Sequence, residues 1–129
     1  MGDRQYKEEQ QVPDIYVIDP DLNCLAHTME YLIDSEFRPT MFHHGLFLGI
    51  SPLAPDLAMV SLQQSPSNGL ALCKILKNSY PNIRLILTST LDISQHECKI
   101  LEVVDLVLHK PYGKTEVLAC LRNLLSTKA

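Results

Sequence analysis

Residues 56–69 read DLAMVSLQQSPSNG, an apolar run that climbs to Ser61 and then turns polar as far as Asn68 and Gly69. The segment LAMVS (57–61) is short and apolar, which predicts a buried strand. The residue at the tip of such a strand decides what chemistry the fold can carry. Here it is a serine.

Similar β-type runs lie on either side. DIYVID (14–19) is a strand candidate, RPTMFH (38–43) is a weaker one, IRLILT (83–88) is almost continuously apolar and suits a strand covered on both faces, and VVDLVL (103–108) is the fifth. Helical patterns separate them. In LNCLAHTMEYLI, Leu22, Leu25, Met29, Leu32 and Ile33 fall on one helical face. GLALCKILK (69–77) follows, with Ser67 or Asn68 as its expected cap. SQHE (94–97) has capping-box spacing and opens a helix to about Glu102. KTEVLACLRNLL (114–125) places Val117, Leu118, Leu121, Leu124 and Leu125 on one side.

The organisation expected is a polar leader over 1–13, one domain over 14–125 and a short tail over 126–129. Five β-then-α units imply an α/β domain with a parallel sheet, right-handed crossovers and helices on both faces. In such sheets, ligands and chemistry gather at the carboxyl ends of the strands. The residues that end the strands are therefore the ones to watch: Asp19, Ser61, Thr88 and Lys110.

Composition limits the alternatives. The chain has 129 residues, 46% hydrophobic and 20% charged, enough for one real core and too few for two ordinary domains. A net charge of −4 gives no electrostatic footprint for nucleic acid or an anionic membrane. No apolar stretch is long enough to span a bilayer, and MGDRQYKEEQQ is unlike a signal peptide, so a cytoplasmic location is expected. Cys24, Cys73, Cys98 and Cys120 show no CxxC spacing and read as buried free thiols, with no metal site expected. No cofactor is expected either. The first strand-to-helix turn, DPDLN, lacks the glycine that would cradle a nucleotide phosphate.

VIDPD, DLAMVSLQQSPSNG, LILTS and LVLHKPY, in this order and each at a strand end, resemble the signature segments of the receiver domain of bacterial two-component response regulators. The resemblance spans about 14–125. It implies a flavodoxin-like, doubly wound five-stranded sheet in the order 2-1-3-4-5. It also implies a phosphoryl-transfer site. There, acids after the first strand help hold Mg²⁺, and an aspartate after the third attacks a phosphohistidine. A Thr or Ser after the fourth strand and a lysine followed by proline after the fifth contact the phosphoryl group.

On that resemblance, Asp19 matches the first acid, Thr88 the hydroxyl and Lys110–Pro111 the lysine-proline pair, with a cis bond implied. Gly69 matches the glycine that opens the third helix, and Tyr112 the aromatic after the proline. Three positions depart. Ser61 stands at the phosphoacceptor position, Pro20 where the second acid is expected, and Val107 where an aromatic switch residue commonly sits.

A carboxylate is ionised at neutral pH, whereas a serine hydroxyl attacks only when a base activates it. No histidine falls in the strand-end cluster by pattern: His27, His43, His44 and His96 read as lying elsewhere, and His109 alternates away. Mg²⁺ needs carboxylate or phosphate oxygens, and only Asp19, with Asp21 as a substitute, remains. Lys110 is then expected to pair with Asp19 and hold two strand ends together. The resulting expectation is a degenerate receiver, or pseudo-receiver: not an enzyme, and acting through protein contacts.

Two other readings stay open. One is a phosphoaccepting receiver that uses Asp21; Asp56 begins its strand and lies at the wrong end. The other is a phosphatase of the haloacid-dehalogenase type, which DPD resembles. Asp19 would be its nucleophile and Asp21 its acid, and Thr88 and Lys110 would match later motifs. Asn23 and the lack of a terminal acidic motif stand against it.

For partners, GLFLGISPL (45–53) either is irregular and tucks inward or exposes Leu46, Phe47, Leu48 and Ile50 as a candidate interaction patch. The face made by the fourth helix, fifth strand and fifth helix is the expected route to a homodimer or an effector domain. His43 and His44 are neighbours on a strand and point to opposite faces, so they cannot easily chelate one ion.

Overall fold

Period-two alternation along the strands decides which helix lies on which face. The computed structural model describes residues 12–43, 54–62, 66–90 and 102–126. In chain order its elements are β1 (Asp14–Ile18), α1 (Leu22–Leu32), β2 (Arg38–Phe42), β3 (Leu57–Leu62), α2 (Pro66–Ser79), β4 (Arg84–Ser89), β5 (Leu106–His109) and α3 (Lys114–Ser126). The strands form one parallel sheet in the order β2-β1-β3-β4-β5. This is the expected doubly wound, flavodoxin-like order.

Alternate residues of each strand supply two separate cores. Tyr16, Ile18, Ala58, Val60, Leu85 and Leu87 pack on one face with Cys73 and Leu76 of α2. Ile15, Val17, Leu57, Met59, Ile86 and Leu108 pack on the other with Leu25 and Leu32 of α1 and Val117, Leu118 and Leu121 of α3. Six consecutive residues of β3 are buried, because both faces of that strand are covered.

Several boundaries differ from the sequence reading. The α1 face is narrower than expected: Leu25, Thr28 and Leu32 are buried, while Leu22 and Ile33 are exposed. α2 starts at Pro66, so Ser67 and Asn68 lie within its first turn and not before it; proline suits that position because its missing N–H would have no partner there. Gly69 lies in the body of α2, not at its opening. A Cβ there would come within 2.8 Å of Leu62 Cδ1, so the glycine permits close helix–strand approach.

β5 begins at Leu106 rather than Val103. Asp105 Oδ2 accepts the Leu85 N–H at 2.8 Å, so a side chain stands where a strand carbonyl would otherwise pair. At the chain ends of the domain, Pro13 O already accepts from Arg38 N at 2.9 Å, and α3 includes Ser126. Cys73 is buried, but Cys24 and Cys120 are only half-buried; all three are free thiols. The candidate patch Leu46, Phe47, Leu48 and Ile50 lies outside the described residues, as do His44, His96, Cys98 and almost all of the expected 94–102 helix. No described helix is long and apolar enough to cross a membrane.

Candidate functional site at the carboxyl edge

Parity along the strands brings four polar side chains to one corner. Asp19 continues the Ile15–Val17 stripe, Ser61 continues Leu57–Met59, Thr88 follows Ile86, and Lys110 follows Leu108. All four stripes belong to the face covered by α1 and α3. Register aligns the ends: Ser61 is opposite Thr88, and Thr88 is opposite Leu108. The ladder runs on past the strands through Asp19 N to Phe42 O at 3.0 Å and Lys110 N to Ser89 O at 2.8 Å.

Lys110 joins three strand ends. Its Nζ donates to Asp19 Oδ2 at 2.9 Å and to Ser61 Oγ at 2.8 Å. The pair is largely removed from water, with side-chain exposures of 8% for Lys110 and 3% for Asp19. The other Asp19 oxygen accepts the Asp21 N–H at 2.9 Å. Thr88 is buried beside them. The Lys110–Pro111 bond is cis.

Asp21 does different work. It is the N-cap of α1, and its Oδ1 accepts from the Asn23 and Cys24 amides at 3.0 and 3.2 Å. Its carboxylate therefore sits on an exposed rim, tied to the helix end. Asp56 lies at the opposite edge of the sheet, where Oδ2 accepts the Asp14 N–H at 2.8 Å. Val107 is half-buried and packs on the α2 side of the sheet.

Mg²⁺, which receivers of this fold employ, does not fit this donor set. Both Asp19 oxygens already accept hydrogen bonds, Pro20 offers no side-chain oxygen, and the Ser61 hydroxyl is held by an ammonium. Mg²⁺ needs several hard oxygen ligands in near-octahedral array. Among the described residues, no three His, Cys, Asp or Glu side chains are grouped to hold a metal ion.

Two histidines lie nearer the site than their pattern suggested. His43 Nε2 donates to the Pro20 carbonyl at 3.0 Å, so its ring closes over the turn that follows β1. His27 lines a cavity of about 480 Å³ that also reaches Lys110. That cavity lies between α1 and the segment Lys110–Tyr112, and sequence reasoning missed it. Tyr112 Oη is 2.8 Å from Thr28 Oγ1 and 3.6 Å from Cys24 Sγ. Burial pushes the Tyr112 phenol above its usual range and raises the Cys24 thiol, which the neighbouring Asp19 carboxylate raises further. Both groups are neutral at physiological pH. The available signal was a second helical stripe, Cys24–Thr28–Tyr31, beside the Leu25–Leu32 core stripe.

No family model and no curated protein sequence matches the chain. Solved structures do. The chain is similar to the BeF3-activated receiver domain of DrrB from Thermotoga maritima, with 24% identity, a TM-score of 0.78, and 90% of this chain and 99% of that one covered. It is similar to a CheY-like response-regulator receiver domain protein from Methanospirillum hungatei, with 17% identity, a TM-score of 0.81, and coverage of 92% and 97%. It also covers 28% of NtrX from Brucella abortus, at 19% identity and a TM-score of 0.77 over 92% of this chain. The chain has the fold of response-regulator receiver domains.

Proposed function

We propose that the chain is a pseudo-receiver: a signalling domain that does not take up a phosphoryl group and works through protein contacts. One observation carries this reading. The side chain at the acceptor position of β3 is a hydroxyl held by Lys110, whose positive charge is already paired with Asp19. An ammonium that donates to Ser61 cannot take its proton, so Lys110 does not activate the hydroxyl. Lys110 and Asp19 satisfy each other, so among the described residues the charge left at this edge is the Asp21 carboxylate that caps α1, which repels an acyl phosphate.

The effect then falls to a partner, an effector protein or a second copy of the chain in a cytoplasmic setting. Nothing at the site favours the Asp21 reading, because that carboxylate is committed to capping α1. Nor does it favour a phosphatase nucleophile at Asp19, which is 2% exposed and bonded at both oxygens.

The test is incubation with acetyl phosphate and Mg²⁺, read by intact mass. The expected result is no adduct of about 80 Da, the mass of one added phosphoryl group. A hydroxylamine-labile adduct on the wild-type chain that disappears in Asp21→Asn would replace this reading with a phosphoaccepting one.

A further inference from the structure

The stripe that α1 turns toward Lys110–Tyr112 carries functional groups, from buried Thr28 out to exposed Asn23 and His27. Asn23, Cys24, His27, Thr28 and Tyr31 recur at helical spacing and line the cleft of about 480 Å³. That volume lies within the range of small-molecule sites, roughly 300–1,000 Å³. The opposite wall is pinned to this one. Tyr112 is tied to α1 through Thr28 at 2.8 Å, and Tyr31 Oη donates to the Tyr112 carbonyl at 3.5 Å. The cleft is therefore formed before any ligand arrives.

Charge narrows what it can hold. The positive end of α1 is filled by its own Asp21 carboxylate, so an anion entering there meets a negative charge instead of free amides. The Lys110 ammonium is turned to Asp19 and Ser61. Besides Asp21 and Lys110, each engaged as described, the lining offers a neutral amide at Asn23, an imidazole at His27, a hydroxyl at Thr90 and the ring surfaces of Tyr31, Pro111 and Tyr112. Asn23 and His27 are exposed and can turn to a ligand at little cost to the fold.

We infer that this cleft binds a neutral, flat, nitrogen-bearing aromatic compound of up to nucleoside size, stacked against the tyrosine and proline rings and hydrogen-bonded by Asn23 and His27. The site does not depend on the Ser61 reading, and neither result decides the other.

The experiment titrates the full chain, by amide-resolved NMR, with adenosine, guanosine and nicotinamide as neutral probes and with AMP as an anionic one. At least one neutral probe should shift the Asn23, His27 and Tyr112 amides saturably, and AMP should bind at least about tenfold more weakly than adenosine. Asn23→Ala and His27→Ala should each weaken that probe without lowering the urea midpoint. A second readout locates the site: the bound probe should slow maleimide alkylation of Cys24 and leave that of Cys120 unchanged. Absence of saturable shifts with all three neutral probes, affinity for AMP equal to that for adenosine, or binding indifferent to both substitutions would each overturn the inference.

Discussion

The two edges of the sheet use the same ionic residues to opposite ends. At the amino edge, charge is wet and serves the backbone. Arg38 Nε meets Asp14 Oδ1 at 2.8 Å with side chains 49% and 15% exposed, and Arg84 and Asp105 stand 3.9 Å apart. The carboxylates of Asp56 and Asp105 accept the amides of Asp14 and Leu85, finishing the ladders where the strands begin. At the carboxyl edge, one ammonium and one carboxylate face each other almost out of water, with a serine as the second acceptor. An edge whose charges finish the backbone is structural by construction. At the carboxyl edge the charges are buried against each other, although Asp19 Oδ1 also accepts the Asp21 amide.

The sharpest way to break this comparison is to remove one cation from each edge. Lys110→Met strands the Asp19 carboxylate in a buried position and should lower stability by about 3–5 kcal/mol in urea unfolding. Arg38→Met leaves a carboxylate that water can reach and should cost no more than about 1 kcal/mol. Asp19→Asn placed on top of Lys110→Met should recover much of the larger loss, because the orphaned charge is then gone. Equal losses at the two edges would mean that the Lys110 pair is no drier than its amino-edge counterpart.

A smaller effect tests whether amino-edge carboxylates act as backbone caps. Asp105→Ala leaves the Leu85 N–H, in a fully buried residue, without its acceptor at 2.8 Å. The expected loss is about 1–3 kcal/mol, the cost of an unsatisfied buried amide. Asp105→Asn keeps an acceptor oxygen and should lose much less. If both variants lose the same amount, the Arg84 ion pair and not the amide is what Asp105 serves.

These edges were not equally legible in the sequence. Strand ends could be read off because apolar runs stop where polar residues begin, so Asp19, Ser61, Thr88 and Lys110 were found, and with them the sheet order through the resemblance. The start of β5 was not, because Val103 and Val104 are apolar for packing reasons while Asp105 takes over the pairing. The outer turns of α1 misled for a related reason: Leu22 and Ile33 keep the helical period but overshoot the sheet, and the structure leaves both 62% exposed. The cleft went unseen because its walls are 80 or more residues apart, as in the Thr28–Tyr112 and Tyr31–Tyr112 contacts. Period-based reading follows one element at a time, and no such period links Thr28 to Tyr112.

The smallest expected effect comes from the best-formed surface pair, which makes it the useful control. Arg122 grips Glu36 as a fork, Nε to Oε2 at 2.7 Å and Nη2 to Oε1 at 2.9 Å, with both side chains half exposed. Those bonds hold the Glu36 carboxyl down to about 2, from its ordinary 4.5. The folded chain thus binds the proton less readily than the unfolded one. The pair's contribution is complete above the ordinary value and is lost as the pH falls toward 2. Because water and salt screen it, that contribution should be small despite the geometry. Urea midpoints of the wild type and Arg122→Met, taken near pH 5 and again near pH 3, should converge on acidification, and about 0.5 M salt should erase the difference at the higher pH. The same salt should leave the cost of Lys110→Met nearly intact, since screening ions do not enter a buried pair. If salt abolished both, burial at the carboxyl edge would be shallower than the Asp19 and Lys110 exposures indicate, and the pocket would admit small ions.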